Sequence, residues 1–558
     1  MPYRMYLRAS RSITFSIAIS GILIVFLLAA CNQRRLKPGP TGFADESFAD
    51  RLSGMMPSPD TTGGALKRKV VNDVRLVYAL DDYQPIWVKE NYASNEAATR
   101  LLEELEDMQW DGAEMGQYRI DELKLLKIRL DTSKRNSVDD AIAFDTMLTR
   151  NYLAAAKFLR FGSINPRKAD SLWHHVNDTV WDGPEVLVNQ EGEYPSLDKF
   201  RSEWPTYRLL RNEYMRFAML QQDSSYLNAK FNIQPGQTDS ILRMSADYII
   251  LSELPWAEHL PDDSLSDRAR MMVTYQAYRS LRATRKFDSA TMAELATPPE
   301  VYMARLNANM ERLRWMKHSP GNTYIVVDVP LMEMYFRKDG TNVMHKRVVV
   351  GKPARQTPSL FANMTNVVIN PPWAVPPTIL KKDVLPGIQR SGNEYLAKKG
   401  LKIYDSDGKA VKVSAVNARN YRRYSFRQAP GEDNSLGNVK FNMPNKWDIY
   451  MHDTPHREDF GKRDRAQSSG CVRVHEPREM ALYILGELEN KKQYTPGRLD
   501  TLISGHKTKW ENLKNKIPVY ITYLTAFEDA ATEHVLFTRD IYERDAKLMA
   551  LMSTATKG

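Results

Sequence analysis

From Leu66 to about Leu260 apolar residues return at three- and four-residue steps, the spacing of helices that bury one face. Leu101, Leu102, Leu105 and Met108 make one stripe over 97–109, and Trp110-Asp111-Gly112 supplies its stop. Phe144, Leu148, Tyr152, Ala155 and Leu159 make a second that ends at Gly162, and Leu209, Leu210, Tyr214, Phe217 and Leu220 predict a third helix over 206–221. Stripes of this kind are core, so 67–260 reads as a helical scaffold domain without chemistry of its own. Residues 261–318 read as a separate short helical unit. It holds Arg268–Leu281, then Asp288 leading into Ser289–Leu295, then a helix through Asn307–Met316.

At Thr323 the period shortens to that of strands. Tyr324–Val329, Lys346–Gly351, Asn366–Asn370, Trp447–His452, Cys471–Val474 and Val519–Tyr523 are short β-branched or aromatic runs bounded by turn residues. Many short strands with Gly- and Pro-rich connections predict a mostly β, sandwich-like domain over 319–545. A basic, proline-punctuated stretch interrupts it, and an insertion of that length on a compact β domain (374–428) is expected to be a lid or capping subdomain. Residues 546–558 remain as a C-terminal tail. The fold class that follows is multidomain α+β.

The N-terminus changes the compartment. Arg4, Arg8 and Arg11 precede an apolar stretch from Ile13 to Ala30 that ends in Leu28-Ala29-Ala30-Cys31, the layout of an export signal over 1–30. Cysteine directly after Leu-Ala-Ala resembles a bacterial lipoprotein signal, which implies an acylated Cys31 and a membrane-anchored, periplasmic protein. Asn32, in place of aspartate, favours the outer membrane over the inner. Residues 31–66, rich in Pro and Gly, read as a flexible tether. The formal charge of +10 suits an anionic polymer or a membrane surface, and export argues against nucleic acid. With only two cysteines, one of them the lipid-bearing residue, no disulfide framework is available.

That leaves one thiol, Cys471, in Ser468-Ser469-Gly470-Cys471-Val472-Arg473-Val474, downstream of His452 in Ile449-Tyr450-Met451-His452-Asp453-Thr454. A lone cysteine with a histidine elsewhere is a candidate nucleophile and base. A thiol attacks an amide as thiolate, and an imidazole within reach takes the proton and returns it to the leaving amine. Asp453, through its carbonyl or its carboxylate, is placed to hold the His452 ring in one tautomer. The Ser469-Gly470 turn is placed to aim the N–H groups of Gly470 and Cys471 at a developing oxyanion. Arg473, two residues on along a strand, shares the face of Cys471, where its cation would depress the thiol pKa and hold a substrate carboxylate.

These runs closely resemble the active site of the L,D-transpeptidases (YkuD-type catalytic domain), of the large periplasmic subgroup with an N-terminal scaffold domain and a capping insertion. Val350-Gly351-Lys352-Pro353, Asn370-Pro371-Pro372-Trp373, Asn434-Ser435-Leu436-Gly437, Lys440–Pro444 and Asp540-Ile541-Tyr542 fit the same subgroup, as does Gly162-Ser163-Ile164-Asn165-Pro166 in the scaffold. Most of the family has histidine where this chain has Ser469; the subgroup shares the serine. The resemblance implies that Cys471 is the nucleophile, His452 the base and Arg473 a substrate or oxyanion neighbour. Trp373, Tyr450, Asn434 and Ser468 would contact substrate. It implies a thioester acyl-enzyme formed on the tetrapeptide donor stem with loss of D-alanine, then a 3→3 crosslink to a diaminopimelate acceptor. No cofactor or metal is implied, and carbapenems are expected to acylate the thiol. The 286–295 segment resembles the end of a peptidoglycan-binding helical module without the usual turn glycines, so 261–318 is taken as a degenerate copy.

The rivals are weighed by chemistry. An L,D-carboxypeptidase or a protein-to-peptidoglycan attaching enzyme would use the same residues with another acceptor. A cell-wall anchoring lipoprotein would need no Cys–His pair. His452, His456, Cys471 and His475 are zinc-ligand types, yet Pro455 breaks a helix between the first two. A strand would also hold positions 471 and 475 roughly 13 Å apart.

Overall fold

The computed structural model describes residues 43–558 except 60–68, 135, 176–179, 190–193, 235–239, 257–266, 418, 530, 531, 533 and 556–558. The signal over 1–30, Cys31 and the first part of the tether lie outside the described residues. Among the described residues no helix is long and apolar enough to cross a membrane.

The N-terminal half is helical. It runs α1 (Phe43–Met55), α2 (Val70–Leu80), α3 (Glu96–Asp107), α4 (Ile120–Thr132) and α5 (Val138–Phe161), then the short α6 (Pro166–Ala169), strand β1 (Trp173–His174) and α7 (Gly183–Val188). One core joins these helices through Leu101, Leu105, Phe144, Leu148 and Tyr152. Helix α1 corrects the expectation of a tether over 31–66. Phe48 and Leu52, four residues apart on one helical face, are buried in this same core.

Helices α8 (Pro205–Leu220), α9 (Ser224–Phe231), α10 (Ser240–Glu253), α11 (Asp267–Tyr278), α12 (Ser289–Leu295) and α13 (Pro299–Arg314) follow. The boundary expected at 260/261 is corrected as well. Tyr226, Leu242, Ile249, Met272, Tyr275 and Leu295 form one cluster, so α9 to α12 are a single unit. At its centre the buried carboxylate of Glu253 receives Lys230 and Arg279, the latter at 2.8 Å. Helices α8 and α13 belong elsewhere: Tyr207, Leu210, Leu306 and Leu313 pack with Tyr324, Val326 and Tyr520 of the β domain.

The β domain is built from β2 (Thr323–Asp328), β3 (Glu333–Lys338), β4 (Thr341–Gly351), β5 (Ser359–Ile369), β6 (Trp373–Ala374), β7 (Leu401–Tyr404), β8 (Ala410–Val411), β9 (Ser425–Gln428), β10 (Val439–Asn442), β11 (Met451–His452), β12 (Ala466–Ser468), β13 (Val472–Val474) and β14 (Lys509–Thr522). The main sheet runs β1-β5-β10-β11-β13-β4-β3-β2-β14, and β14 pairs back with β5, so it closes on itself around Ile325, Val327, Val348, Phe441, Met451 and Val472. Strand β2 reads as an unbroken apolar run because both its faces are covered. Ile325 and Val327 enter this core, while Tyr324 and Val326 meet α8 and α13. The run expected over Trp447–His452 is a strand only at Met451–His452; Asp448 takes φ +53°, and Asn445 holds the turn by accepting from the amides of Trp447 and Ile449.

Residues 374–428 carry a four-stranded sheet, β6-β9-β7-β8, crossed by α14 (Pro377–Ile379) and α15 (Leu385–Lys398). Leu380, Val384, Leu396, Ile403 and Phe426 give it a small core of its own. After α16 (Pro477–Leu482) and α17 (Pro496–Ser504) the chain ends in hairpin β15 (Ala526–Glu528) with β16 (Val535–Phe537), then α18 (Asp545–Ala555). Helix α18 corrects the expected 546–558 tail: Leu548 is buried beside α13, and the Asp545 carboxylate accepts from Arg312 at 2.6 Å.

Candidate active site

Strand alternation sets the site. On β10, β11 and β13 the residues Phe441, Met451, Val472 and Val474 turn into the core. Lys440, His452 and Arg473 therefore share the opposite face, in one cross-strand row fixed by the pairings Lys440↔His452 and His452↔Arg473. Tyr450 and Cys471 lie one step back on that face, where the Val472 amide donates to the Tyr450 carbonyl at 3.1 Å.

The His452 ring is buried, and its Nδ1 lies 2.5 Å from the Asp453 carbonyl. A carbonyl only accepts, so Nδ1 carries the proton and Nε2 keeps a lone pair for a substrate-side proton. The Asp453 carboxylate has a different task, accepting from the amides of Asn438 and Thr454, each at 2.8 Å. Gly437, at φ +59°, lies so close to it that a Cβ would strike the carboxylate at 2.5 Å. Burial drives the His452 pKa down to about 3, with Arg473 and Lys440 adding to the effect against the Asp453 carbonyl. The imidazole is thus neutral at rest. Since the unfolded ring titrates near 6.5, the folded state binds this proton less readily, and the stability linked to it is full above pH 6.5 and lost as pH falls from there toward 3. Acid titration of thermal stability should show that loss, and His452→Gln should reduce its slope; an unchanged slope would contradict a buried neutral imidazole.

Burial also pushes the Cys471 thiol up; hydrogen bonds from Tyr450 and the charge of Lys440 pull it down, and Asp448 pushes it up. The sulfur lies 3.7 Å from the Asp448 carbonyl. Resting thiol and imidazole are therefore both neutral, which suits general-base activation during attack better than a standing thiolate–imidazolium pair.

The turn before Cys471 is tied from several sides. Gly470 takes φ +122°, a region that L side chains rarely adopt. Its amide donates to Ser468 Oγ at 3.1 Å, and the Ser468 hydroxyl donates to the Cys471 carbonyl at 2.6 Å. The Gly470 N–H is therefore spent within the turn, and the Cys471 amide is the donor of the pair that is left for an oxyanion. Thr357 Oγ1 donates to the Gly470 carbonyl at 2.8 Å, and the Tyr542 hydroxyl anchors the Gly351 carbonyl next to it.

The other expected contacts separate. Trp373 and Tyr450 both pack on the core of the 374–428 subdomain, and of the two it is Tyr450 that interacts with the thiol, with Trp373 behind it. Asn434 is buried with both amide ends used by its own loop, on the Ala429 carbonyl and the Leu436 amide. Ser469 is exposed and accepts from Arg355 at 3.0 Å, while Arg355 also forms a two-pronged ion pair with Asp383 of the inserted subdomain. Arg473 is not a free cation: its guanidinium is 2.9 Å from Asp459. His456 and His475 turn to Glu458 and Phe460, and among the described residues no three His, Cys, Asp or Glu side chains converge as a metal site.

Sequence reasoning did not single out Lys440, Arg355, Asp383 or Asp448. Alternation in Val439-Lys440-Phe441-Asn442 marks Lys440 as facing away from the core. The register that sets it against His452 is a long-range pairing with no local signal.

Residues 322–498 match the family model of the L,D-transpeptidase catalytic domain, and residues 72–213 match that of a scaffold domain. The chain carries an L,D-transpeptidase catalytic domain of the YkuD type behind a scaffold domain. A putative L,D-transpeptidase of Haemophilus influenzae is 34% identical over 247 residues, 44% of this chain and 48% of that protein. The chain thus spans about half the length of this curated relative. Among solved structures, a cysteine-to-serine variant of an Enterococcus faecium L,D-transpeptidase aligns at 13% identity over 39% of this chain and 63% of that one, with a TM-score of 0.18. The Ldtfm–avibactam carbamoyl enzyme aligns at 14% identity over 39% and 62%, also with a TM-score of 0.18.

Proposed function

We propose that the protein is a peptidoglycan L,D-transpeptidase that works through a cysteine thioester. The observation that carries this reading is the pairing of β11 with β13, which sets His452 next to the strand that Cys471 leads into, with His452 Nδ1 fixed on a carbonyl and Nε2 left to act as base. The thiol proton passes to Nε2 as sulfur attacks the carbonyl of the diaminopimelate L-centre in a tetrapeptide stem. The tetrahedral oxyanion is met by the Cys471 amide. Collapse breaks the C–N bond, the imidazolium returns its proton to the departing amine, and D-alanine leaves with a thioester in place. A side-chain amine of a second stem then attacks the thioester, gives up a proton to His452 and releases the thiol, forming a 3→3 crosslink.

Tyr450 beside the thiol and Trp373 behind it are assigned to the donor stem, and the 374–428 subdomain to capping it. The subdomain's twelve lysines and arginines against four acids suit stems that carry carboxylates. Anchoring at Cys31 in the periplasmic leaflet of the outer membrane would hold the enzyme next to its polymer, and carbapenems would acylate the same sulfur.

Intact-mass spectrometry of the protein incubated with disaccharide-tetrapeptide is the test. A Cys471-dependent adduct together with 3→3 dimer supports the reading. Tripeptide as sole product would reassign the protein as an L,D-carboxypeptidase. Neither adduct nor product from folded protein would leave the wall-anchoring lipoprotein.

A further inference from the structure

The three basic residues in the row beside Cys471 are not equivalent. Arg473 is engaged by Asp459 at 2.9 Å, and His452 is held neutral by burial. Lys440 is different. Its ammonium lies 4.0 Å from the centroid of the Tyr450 ring, partly buried, and makes no salt bridge or hydrogen bond among the described residues. A half-buried cation without an ion pair is costly because water is withdrawn: burial holds the Lys440 ammonium below the usual lysine range, and the charges of Cys471 and Asp448 act against that. Such a charge is accounted for when the site itself generates an anion during its work.

We propose that Lys440 is the cation that stabilises the Cys471 thiolate as it forms, the role the sequence suggests for Arg473. The inference rests on Cys471 acting as nucleophile. When the S–H bond breaks and the proton moves to His452 Nε2, negative charge appears on sulfur while Lys440 stays protonated throughout, so no further proton or co-reactant is needed. The charged and titratable groups around the sulfur are few. Lys440 comes from β10, His452 from β11, Tyr450 and Asp448 from the turn before β11, and Arg473 from β13 with Asp459 attached. Asp448 opposes the thiolate and acts on Lys440 at a distance, whereas Asp459 stands 2.9 Å from Arg473, so among the described residues Lys440 is the cation of the set that no ion pair engages. Its contact with the Tyr450 ring holds it there as a cation–π pair, which orders the ammonium without neutralising it.

The test is the pH dependence of Cys471 alkylation by iodoacetamide, read by peptide mass in wild type, Lys440→Met, Lys440→Gln and Lys440→Arg, with melting curves confirming that each is folded. Removing the charge should move the alkylation midpoint upward and slow the reaction at pH 8 by about three- to tenfold, the size of a half- to one-unit shift. Lys440→Arg should stay within about twofold of wild type, because a guanidinium keeps the charge. Wild-type alkylation in both Met and Gln variants would overturn the proposal. So would an Arg variant as slow as Met, which would point to shape rather than charge. Alkylation needs no peptidoglycan, so this result stands apart from the transpeptidase reading, which fails if wild type forms no thioester or yields tripeptide alone.

Discussion

Cys471→Ala is expected to abolish crosslinking and the thioester adduct together, with turnover falling by at least about 10⁴-fold, the scale on which loss of a nucleophile acts in triad enzymes. His452→Ala should cost about 10²- to 10⁴-fold, the range of a general base. The two losses should not add, because without sulfur there is no proton for the imidazole to move, and the double variant should be no slower than Cys471→Ala. A neutral resting imidazole adds a sharper expectation. With no imidazolium next to sulfur, His452→Ala should leave the alkylation midpoint of Cys471 nearly unchanged while turnover collapses. A large upward shift of that midpoint would mean that the pair rests as thiolate and imidazolium, against a His452 pKa depressed to about 3 by burial. Single-turnover adduct formation and thiol titration on the same preparations separate these outcomes.

The chemistry was easier to read from sequence than its support. Cys471 and His452 stand in local runs whose turn and strand character set their placement, so their juxtaposition and the Asp453 carbonyl contact are legible in the sequence. What is not legible depends on the exact backbone turn or on distant pairing. The Gly470 amide is consumed by Ser468 Oγ, a two-residue contact that hinges on the left-handed turn. Arg473 shares the face of Cys471 as strand periodicity predicts, yet its charge is met by Asp459 from a segment with no strand or helix period to place it. Lys440 comes opposite His452 only through the β10–β11 register. Domain edges failed for a related reason. Periodicity locates helices but not the core they join, so in the sequence α1 reads as tether, α18 as tail, and the α9–α12 unit as two.

The Gly162-Ser163-Ile164 run shows how such a distant core reaches the site, and it supports the second large prediction. Its amides at Ser163 and Ile164 both donate to one carboxylate oxygen of Glu311 at 2.7 Å, and Gly162, at φ +74°, is pressed against that carboxylate where a Cβ would collide. Glu311 is buried on α13, its other oxygen 3.1 Å from the buried Arg314 guanidinium, which also contacts the Tyr207 hydroxyl at 2.9 Å and the Asp111 carbonyl. The loop so held leads into β1, which pairs with β5 of the catalytic sheet, and α13 leads into β2. Glu311→Ala leaves two amides and a buried cation without their acceptor and should cost about 3–5 kcal/mol. Pairing it with Arg314→Met should recover part of that cost, because no buried charge is then left alone; a coupling of about 0.5–3 kcal/mol is the usual size for such contacts. Urea unfolding of the two single variants and the double variant reads both numbers. A Glu311→Ala protein within about 0.5 kcal/mol of wild type, the range of an ordinary surface change, would mean that this carboxylate does not join scaffold to catalytic domain.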